Sequence, residues 1–354
     1  MLQKFFATGL AMTILNMAFS QDSTKTSALS ITGSADVYYK YDFGKSKANN
    51  LTSFTNSHNS FELGMATVKL EHKTAKVDMV ADLGFGKRAQ EFSYNDQGIL
   101  QAVKQLYISY SPNTWLKFTA GSWATHIGYE LVDAPANRNY SMSYMFTNGP
   151  FFHTGVKAEI AYKKSGFMIG VANPTDFKYV PDGVINKKFF IAQYSYAAND
   201  YFKAYLNFVG GQNIDTSKSR QFGIVLQSKI SSKFNIAYNG TLNSTKKYLG
   251  KQSYDDFKTW LGSALYLNYD PSTHFGLTLR GEIFNDDNQL KVYSLKPTGG
   301  TVSEFTLSAN YKVDNLIIIP EFRIDNGSQT LFVKSDGTQT KTAANVLLAV
   351  VYSF

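Results

Sequence analysis

Residues 29–42, LSITGSADVYYKYD, change character at every step. Leu29, Ile31, Gly33, Ala35, Val37, Tyr39 and Tyr41 fall on one side of an extended chain. Ser30, Thr32, Ser34, Asp36, Tyr38, Lys40 and Asp42 fall on the other. A repeat of two is the side-chain period of a β-strand, so one face is apolar and the other polar. The pattern returns at Val77, Met79, Ala81, Leu83 and Phe85, at Val156, Ala158, Ile160 and Tyr162, and at Phe202, Ala204, Leu206 and Phe208. It continues over 222–230, 234–242, 275–283 and 305–311.

The connections between these segments alternate in length. Seven short polar turns, such as Lys73-Thr74-Ala75-Lys76, Ser111-Pro112-Asn113-Thr114 and Asp270-Pro271-Ser272-Thr273, are interleaved with eight long polar segments. The long ones lie near 43–59, 86–99, 124–150, 174–187, 211–219, 243–256, 285–300 and 326–341. Together they imply about sixteen antiparallel strands with short turns at one end and long loops at the other, the pattern of a transmembrane β-barrel. In hydrocarbon every unpaired N–H or C=O is costly, so a sheet crosses a bilayer only when closed without an edge. A soluble sandwich would bury its apolar face against a second sheet and has no need of the long and short alternation. The short turns and both chain ends are then periplasmic, and the long loops extracellular.

Composition narrows the alternatives. The 354 residues include 23 Tyr and 27 Phe and no Cys, which removes disulfide scaffolds and Cys-ligated metal sites. Beyond the N-terminus no apolar run reaches the about 18 residues of a membrane helix. A net charge of +8 is spread among acids rather than gathered in a patch, so nucleic acid is not expected as a partner. Residues 1–20 carry Lys4, an apolar stretch from Phe5 to Phe19 and a small-x-small ending at Ala18-Phe19-Ser20. That is the form of a secretory signal peptide cut before Gln21, leaving 21–354 as one barrel domain. At the other end Val346, Leu348, Val350, Tyr352 and Phe354 alternate up to the last residue. This aromatic end resembles the signal read by the outer-membrane barrel-assembly machinery of Gram-negative bacteria; a buried edge strand is the plain alternative.

The longest loop and its flanks read GSWATHIGYELVDAPANRNYSMSYMFTNGPFFHTGVKA from Gly121. The order of Gly121, Ile127-Gly128-Tyr129-Glu130, Asn137, Asn139-Tyr140-Ser141, Pro150 and His153-Thr154-Gly155 resembles the OmpL-like outer-membrane family, β-barrel porin-2. Further likenesses are Val171–Asp176, Leu279–Phe284 and Pro320–Arg323, and the resemblance spans the mature chain. Met142 departs from the pattern, because the family often has Arg there, so a cation is missing at that point. The resemblance implies a bacterial outer-membrane location and a channel for small hydrophilic solutes. A sixteen-stranded barrel encloses a lumen too wide for wall side chains to fill. In general porins the third long loop folds inward and narrows it. An inward fold of 124–150 is therefore the expectation, with an ordinary external loop as the alternative. Tyr129, Glu130, Asp133, Asn137, Arg138, Asn139 and Tyr140 are the constriction candidates. General porins are trimers, so a homotrimer is compatible, although no segment marks a subunit interface.

The phase opposite the apolar one faces water. It carries Lys40, Lys104, Lys117, Lys157, Lys203, Arg280 and Arg323 against Asp36, Asp78, Asp82, Glu159, Glu282, Glu304, Glu321 and Asp325. Lys117, Lys157, Glu159, Arg280, Glu282, Glu321 and Arg323 are the pore-wall candidates. So balanced a wall does not set ion selectivity by itself. Arg280/Glu282 and Glu321/Arg323 read either as stiffening ion pairs or as solute contacts. Surplus positive charge lies at Lys45/Lys47, Lys87/Arg88, Lys187/Lys188, Lys218/Arg220 and Lys246/Lys247/Lys251. These basic loops suit lipopolysaccharide phosphates at the outer rim, attraction of anionic solutes, or solvation alone. The five His, His58, His72, His126, His153 and His274, have no hydrolase or metal-ligand spacing, so neither enzyme activity, cofactor nor metal is expected. The expected function is passive diffusion through a porin with 124–150 as constriction. A non-conducting surface barrel serving adhesion or envelope integrity is the alternative.

Overall fold

A computed structural model describes residues 28–354 apart from Ile185 and Gln252; the expected signal peptide lies outside the described residues. Sixteen antiparallel strands close into one barrel. They are β1 Ala28–Asp42, β2 Ser60–Lys73, β3 Val77–Phe85, β4 Val103–Asn113, β5 Leu116–Ala124, β6 Phe152–Tyr162, β7 Ser165–Ala172 and β8 Phe189–Asn199, followed by β9 Phe202–Gln212, β10 Lys218–Lys229, β11 Phe234–Lys246, β12 Lys258–Tyr269, β13 Phe275–Asp286, β14 Gly300–Val313, β15 Leu316–Gly327 and β16 Thr342–Ser353. Each strand pairs with its sequence neighbours, and β16 returns to β1.

The seam between first and last strands runs from Ser34 opposite Ser353 to Asp42 opposite Asn345. It is extended by the final residue: Gly33 N–H donates to the Phe354 carbonyl and Phe354 N–H to the Gly33 carbonyl, both at 3.0 Å. Gly33 interrupts an otherwise apolar face for a reason of space. A Cβ there would lie 2.7 Å from the Phe354 ring and 2.6 Å from the Thr67 carbonyl.

The alternation is kept around the whole wall. Leu63, Ile108, Phe305 and Leu307 are exposed on the outer face, whereas Asp36, Asp82, Arg280, Glu304 and Arg323 point inward and are buried. The outer face is a lipid surface, so its apolar residues need no protein partner. The interior holds what a globular core would hold, clusters of aromatic and aliphatic side chains contributed by loops as well as wall.

Two features differ from the sequence reading. The fifth long connection shrinks to 213–217, because Lys218 and Arg220 already belong to β10. Two short helices also appear in loops, α1 Lys87–Phe92 and α2 Tyr144–Asn148. The connection after β11 carries a small hairpin, Tyr248–Gly250 against Ser253–Tyr254.

Because Leu307 sits mid-strand on the lipid face, Leu307→Arg should lower unfolding stability in liposomes by about 2–4 kcal/mol. A loss below about 0.5 kcal/mol, within the range of ordinary surface substitutions, would show that this face does not meet hydrocarbon.

Candidate channel constriction

The third long loop leaves β5 at a kink that only glycine tolerates. Gly121 has φ +132°, and a Cβ on it would lie 2.2 Å from the Leu106 carbonyl oxygen. Thr125 N–H then donates to the Phe151 carbonyl at 2.9 Å, closing the loop's neck. Between these points the chain turns into the barrel rather than out of it.

Inside, a row of charged wall residues receives the loop. Arg280 on β13 meets Glu130 at 2.5 Å, Glu304 at 3.0 Å and the Ser141 carbonyl at 2.7 Å. Glu282, two residues on, accepts the backbone N–H groups of Tyr144 (2.7 Å) and Met145 (2.8 Å), and so satisfies the otherwise unpartnered donors that begin α2. Ser143 caps the same helix by accepting from Phe146 N–H at 3.1 Å, and donates through its own N–H and hydroxyl to Glu130. Glu321 on β15 accepts from Tyr140 N–H at 2.8 Å and Ser141 N–H at 3.2 Å. Arg323 pairs with Asp325 at 2.7 Å and donates to the Met142 carbonyl, also at 2.7 Å. The wall therefore does not contain Arg280–Glu282 or Glu321–Arg323 ion pairs. Neighbours two apart on a strand share a face, yet here each carboxylate is taken by loop backbone and each guanidinium by other acids.

The remaining constriction candidates are placed as follows. Tyr140 is fully buried; its hydroxyl donates to Asp36 on β1 at 2.5 Å and its ring lies under the Arg88 guanidinium at 4.6 Å. Asn139 donates to Ser308 at 2.7 Å. Asn137 braces the loop internally, accepting from Leu131 N–H and donating to the Leu131 and Asp133 carbonyls. Asp133 pairs with Lys104, which also holds Asp82 at 3.1 Å. Tyr129 packs on Tyr266, ring centroids 4.4 Å apart, and burial raises its phenol above the ordinary range. Arg138 reaches farthest: it grips both carboxylate oxygens of Asp270, at 2.6 and 2.5 Å, in the short turn between β12 and β13. The loop thus enters at the long-loop end and is tied at the opposite rim.

Lys117, Lys157 and Glu159 stand apart from this arrangement. Lys157 pairs with Glu159 at 3.3 Å and Lys117 with Asp78 at 3.7 Å, alongside Lys69–Glu71 at 2.8 Å. These groups on β2, β3, β5 and β6 keep partial exposure, whereas the charges on β13 to β15 have none to speak of.

Some participants escaped the sequence reading. Arg88, read there as a loop cation, is fully buried between the Phe54 and Tyr140 rings and donates to the Val132 carbonyl at 3.2 Å. Its helical companions Ala89 and Phe92 are buried too, and the spacing 88, 89, 92 is the one trace of an inward helical face. The first long loop also turns in, and Lys40 holds it through the Thr55 carbonyl (3.0 Å) and Asn50 (2.6 Å). Met142, where a cation is missing, is buried among Phe54, Phe92, Val132 and Phe151. Among the described residues no cluster of His, Asp and Glu is placed to hold a metal ion.

Near the loop's neck the His126 imidazole faces the Phe208 carbonyl at 3.0 Å and lies 5.2 Å from the His153 ring. Burial pushes it down to about 4. Nearby, burial raises Asp176, which accepts from Phe151 and Phe152 N–H, to about 6.

Comparison with known proteins agrees with this architecture. No curated protein matches the chain in sequence. Among solved structures, the anion-selective porin from Comamonas acidovorans aligns with a TM-score of 0.62 at 10% identity, covering 93% of this chain and 100% of that one. The outer membrane channel DcaP of Acinetobacter baumannii aligns at 0.60 and 10%, covering 94% and 99%. OmpT, an outer membrane protein of Vibrio cholerae, aligns at 0.59 and 11%, covering 94% and 99%. At such identities the likeness is one of fold.

Two outcomes are expected. Arg280→Gln leaves Glu130 and Glu304 buried without their shared cation, which should weaken loop docking by about 3–5 kcal/mol. Limited proteolysis within 124–150 should rise while the heat-dependent gel shift of the folded barrel persists; unchanged proteolysis would remove Arg280 from the lock. The second concerns acid. An imidazole held below its ordinary value gains its proton more readily once the loop is released, so docking is strongest above pH 6.5 and weakens as pH falls toward 4. Asp176 works in the opposite sense, since its docked carboxyl keeps a proton up to about pH 6. The histidine's share is therefore the difference between wild type and His126→Gln, and proteolysis profiles with the same pH dependence would refute it.

Residues 28–354 match the family described as beta-barrel porin-2, OmpL-like, and the chain belongs to that family of bacterial outer-membrane porins.

Proposed function

We propose that the chain is a passive diffusion channel for small hydrophilic solutes or ions, with loop 124–150 as its constriction. The observation that carries this reading is the lopsided interior. The loop is pressed against β12 to β16 and β1, where it buries the charges it touches, and through Asp133 it also covers Lys104 and Asp82, while Lys69, Glu71, Asp78, Lys117, Lys157 and Glu159 on β2, β3, β5 and β6 stay partly exposed. A hydrated path runs along that second wall. Tyr129, Glu130, Asn137, Arg138, Asn139 and Tyr140 set the loop's position, and Asp133, partly exposed, presents charge to the path with Lys117, Lys157 and Glu159. Arg280, Glu282, Glu321 and Arg323 hold the constriction in place rather than contact the solute.

The solute gradient does the work, so the protein needs only a wet route and a fixed bore. Basic loops at the outer rim suit the phosphates of lipopolysaccharide, and the Phe354 strand suits the barrel-assembly machinery. The competing reading, a non-conducting surface barrel for adhesion or envelope integrity, draws on the tightness of the loop's seat. Two cavities between loop and wall, one beside Gly149 and Asn239 and one beside Asn137 and Asn268, have volumes of about 10 and 20 Å³. Each has room for about one water molecule.

Planar bilayers separate the two. Steady conductance steps from purified protein are expected, and silence from correctly folded protein would overturn the channel. In Asp78→Asn/Glu159→Gln, Lys117 and Lys157 lose their partners, so the reversal potential in a salt gradient should move toward anion preference. An unmoved potential would place the path elsewhere.

A further inference from the structure

The outer face of the barrel carries a cationic cluster that the channel does not use. Lys218 and Arg220 open β10 and Lys246 ends β11, all at the long-loop end. They share the outward phase with Phe222 and Leu242, so they face the membrane rather than the lumen. Lys218 stands directly opposite Lys246 across the strand pair, an arrangement of like charges that costs stability unless an anion offsets it. Among the described residues no carboxylate lies within ion-pair distance of any of the three. They are instead gathered over two rings from the connection that follows β11. Lys218 is 4.4 Å and Lys246 4.9 Å from the Tyr254 ring centre, and Arg220 is 4.1 Å and Lys246 5.0 Å from that of Phe257. Rings fix the position of cations without neutralising them.

Immediately below, the lipid face carries a ribbon of phenylalanines. Phe190 and Phe208 are 6.1 Å apart and Phe208 and Phe222 4.9 Å, with Phe222 two residues from Arg220 on the same face. Leu242 and Leu261 continue the apolar surface and are paired across β11 and β12. The order from membrane to solvent is therefore acyl-compatible surface, aromatic ribbon, three clustered cations. That sequence matches an amphiphile whose tail is hydrocarbon and whose head is phosphate.

We propose that Lys218, Arg220 and Lys246 form a site for the phosphate groups of an anionic glycolipid of the outer leaflet, whose acyl chains lie on Phe208, Phe222 and Leu242. The site sharpens the general contact of basic loops with lipopolysaccharide, and it rests on the orientation that puts the long loops outside. It would tie the β9 to β12 sector to the leaflet and leave the lumen untouched.

Native mass spectrometry of detergent-released barrel with bisphosphorylated lipid A provides the test. Wild type should retain lipid A and should not retain the dephosphorylated form. The variant Lys218→Gln/Arg220→Gln/Lys246→Gln should retain at least about tenfold less. Lys296→Gln/Lys334→Gln/Lys341→Gln, with the same charge removed from other long loops, should retain as much as wild type. Equal loss in both variants would show diffuse charge attraction, and displacement of lipid A by millimolar inorganic phosphate would show a free-anion site; either overturns the proposal. Bilayer recordings on the same samples keep the two readings apart. Silent barrels that hold lipid A would sink the channel and spare the site, and conducting barrels that never hold it would do the reverse.

Discussion

Everything in this molecule depends on the seam where β16 meets β1. A sheet in hydrocarbon has no water to satisfy its edges, so each main-chain group must find another main-chain group. The pairing from Ser34–Ser353 to Asp42–Asn345, carried on by Gly33 and Phe354, removes the last edge. Once the ring is closed, the apolar face has no further need of protein contacts, and the chain is free to spend its polar residues on the inside. The glycine at position 33, out of character for its face, is there because the terminal phenylalanine needs the space.

Closure creates a second problem, a wide lumen, and the solution is a loop held by charge. Ionic groups removed from water are stabilising only when their remaining hydrogen-bonding capacity is satisfied. On β13 and β15 that condition is met by using each group more than once. Arg280 serves two carboxylates and a carbonyl, and Glu282 and Glu321 each receive two consecutive backbone N–H groups. Carboxylates aimed at a chain that turns past them fix direction as well as position, which a greasy contact cannot do. The inner wall is thus a mould for residues 130–145, and the opposite wall, with its partly wet Lys117–Asp78 and Lys157–Glu159 pairs, is a different kind of surface.

How much of this is written in the sequence follows from the range of the interactions. Strand identity depends on neighbours two residues apart, so the alternation in 29–42 and 346–354 is enough to expect a barrel wall. Turn and loop lengths are likewise local, except where a strand runs on into a polar stretch, as at Lys218 and Arg220. The partners of Arg280 and Arg323 are a different matter. Arg323 does take the acid two residues on, Asp325, but Arg280 bypasses Glu282 for Glu130, 150 residues away, whose arrival depends on which way a loop bends. Arg88 shows the same limit: as a basic residue beside Lys87 it looks solvated, and only the packing of Phe54 and Tyr140 around it makes it interior. The loop residues that meet the wall are recognisable as a group because they crowd one segment; what each one grips is not.

The tie between Arg138 and Asp270 has a consequence for the order of events during folding. The loop is made between the fifth and sixth strands, but its partners arrive 132 to 181 residues later, at Asp270, Glu282, Glu321 and Asp325. Such distant pairings form late, because the intervening chain must first be organised. Until the final third of the wall is laid down the segment has only Asp36 and Lys104 of the earlier strands to grasp, and after the ring shuts it can no longer be threaded from the side. Its capture and the last step of closure must therefore coincide, which makes this stretch a passenger for most of the barrel's construction and a keystone only at its completion.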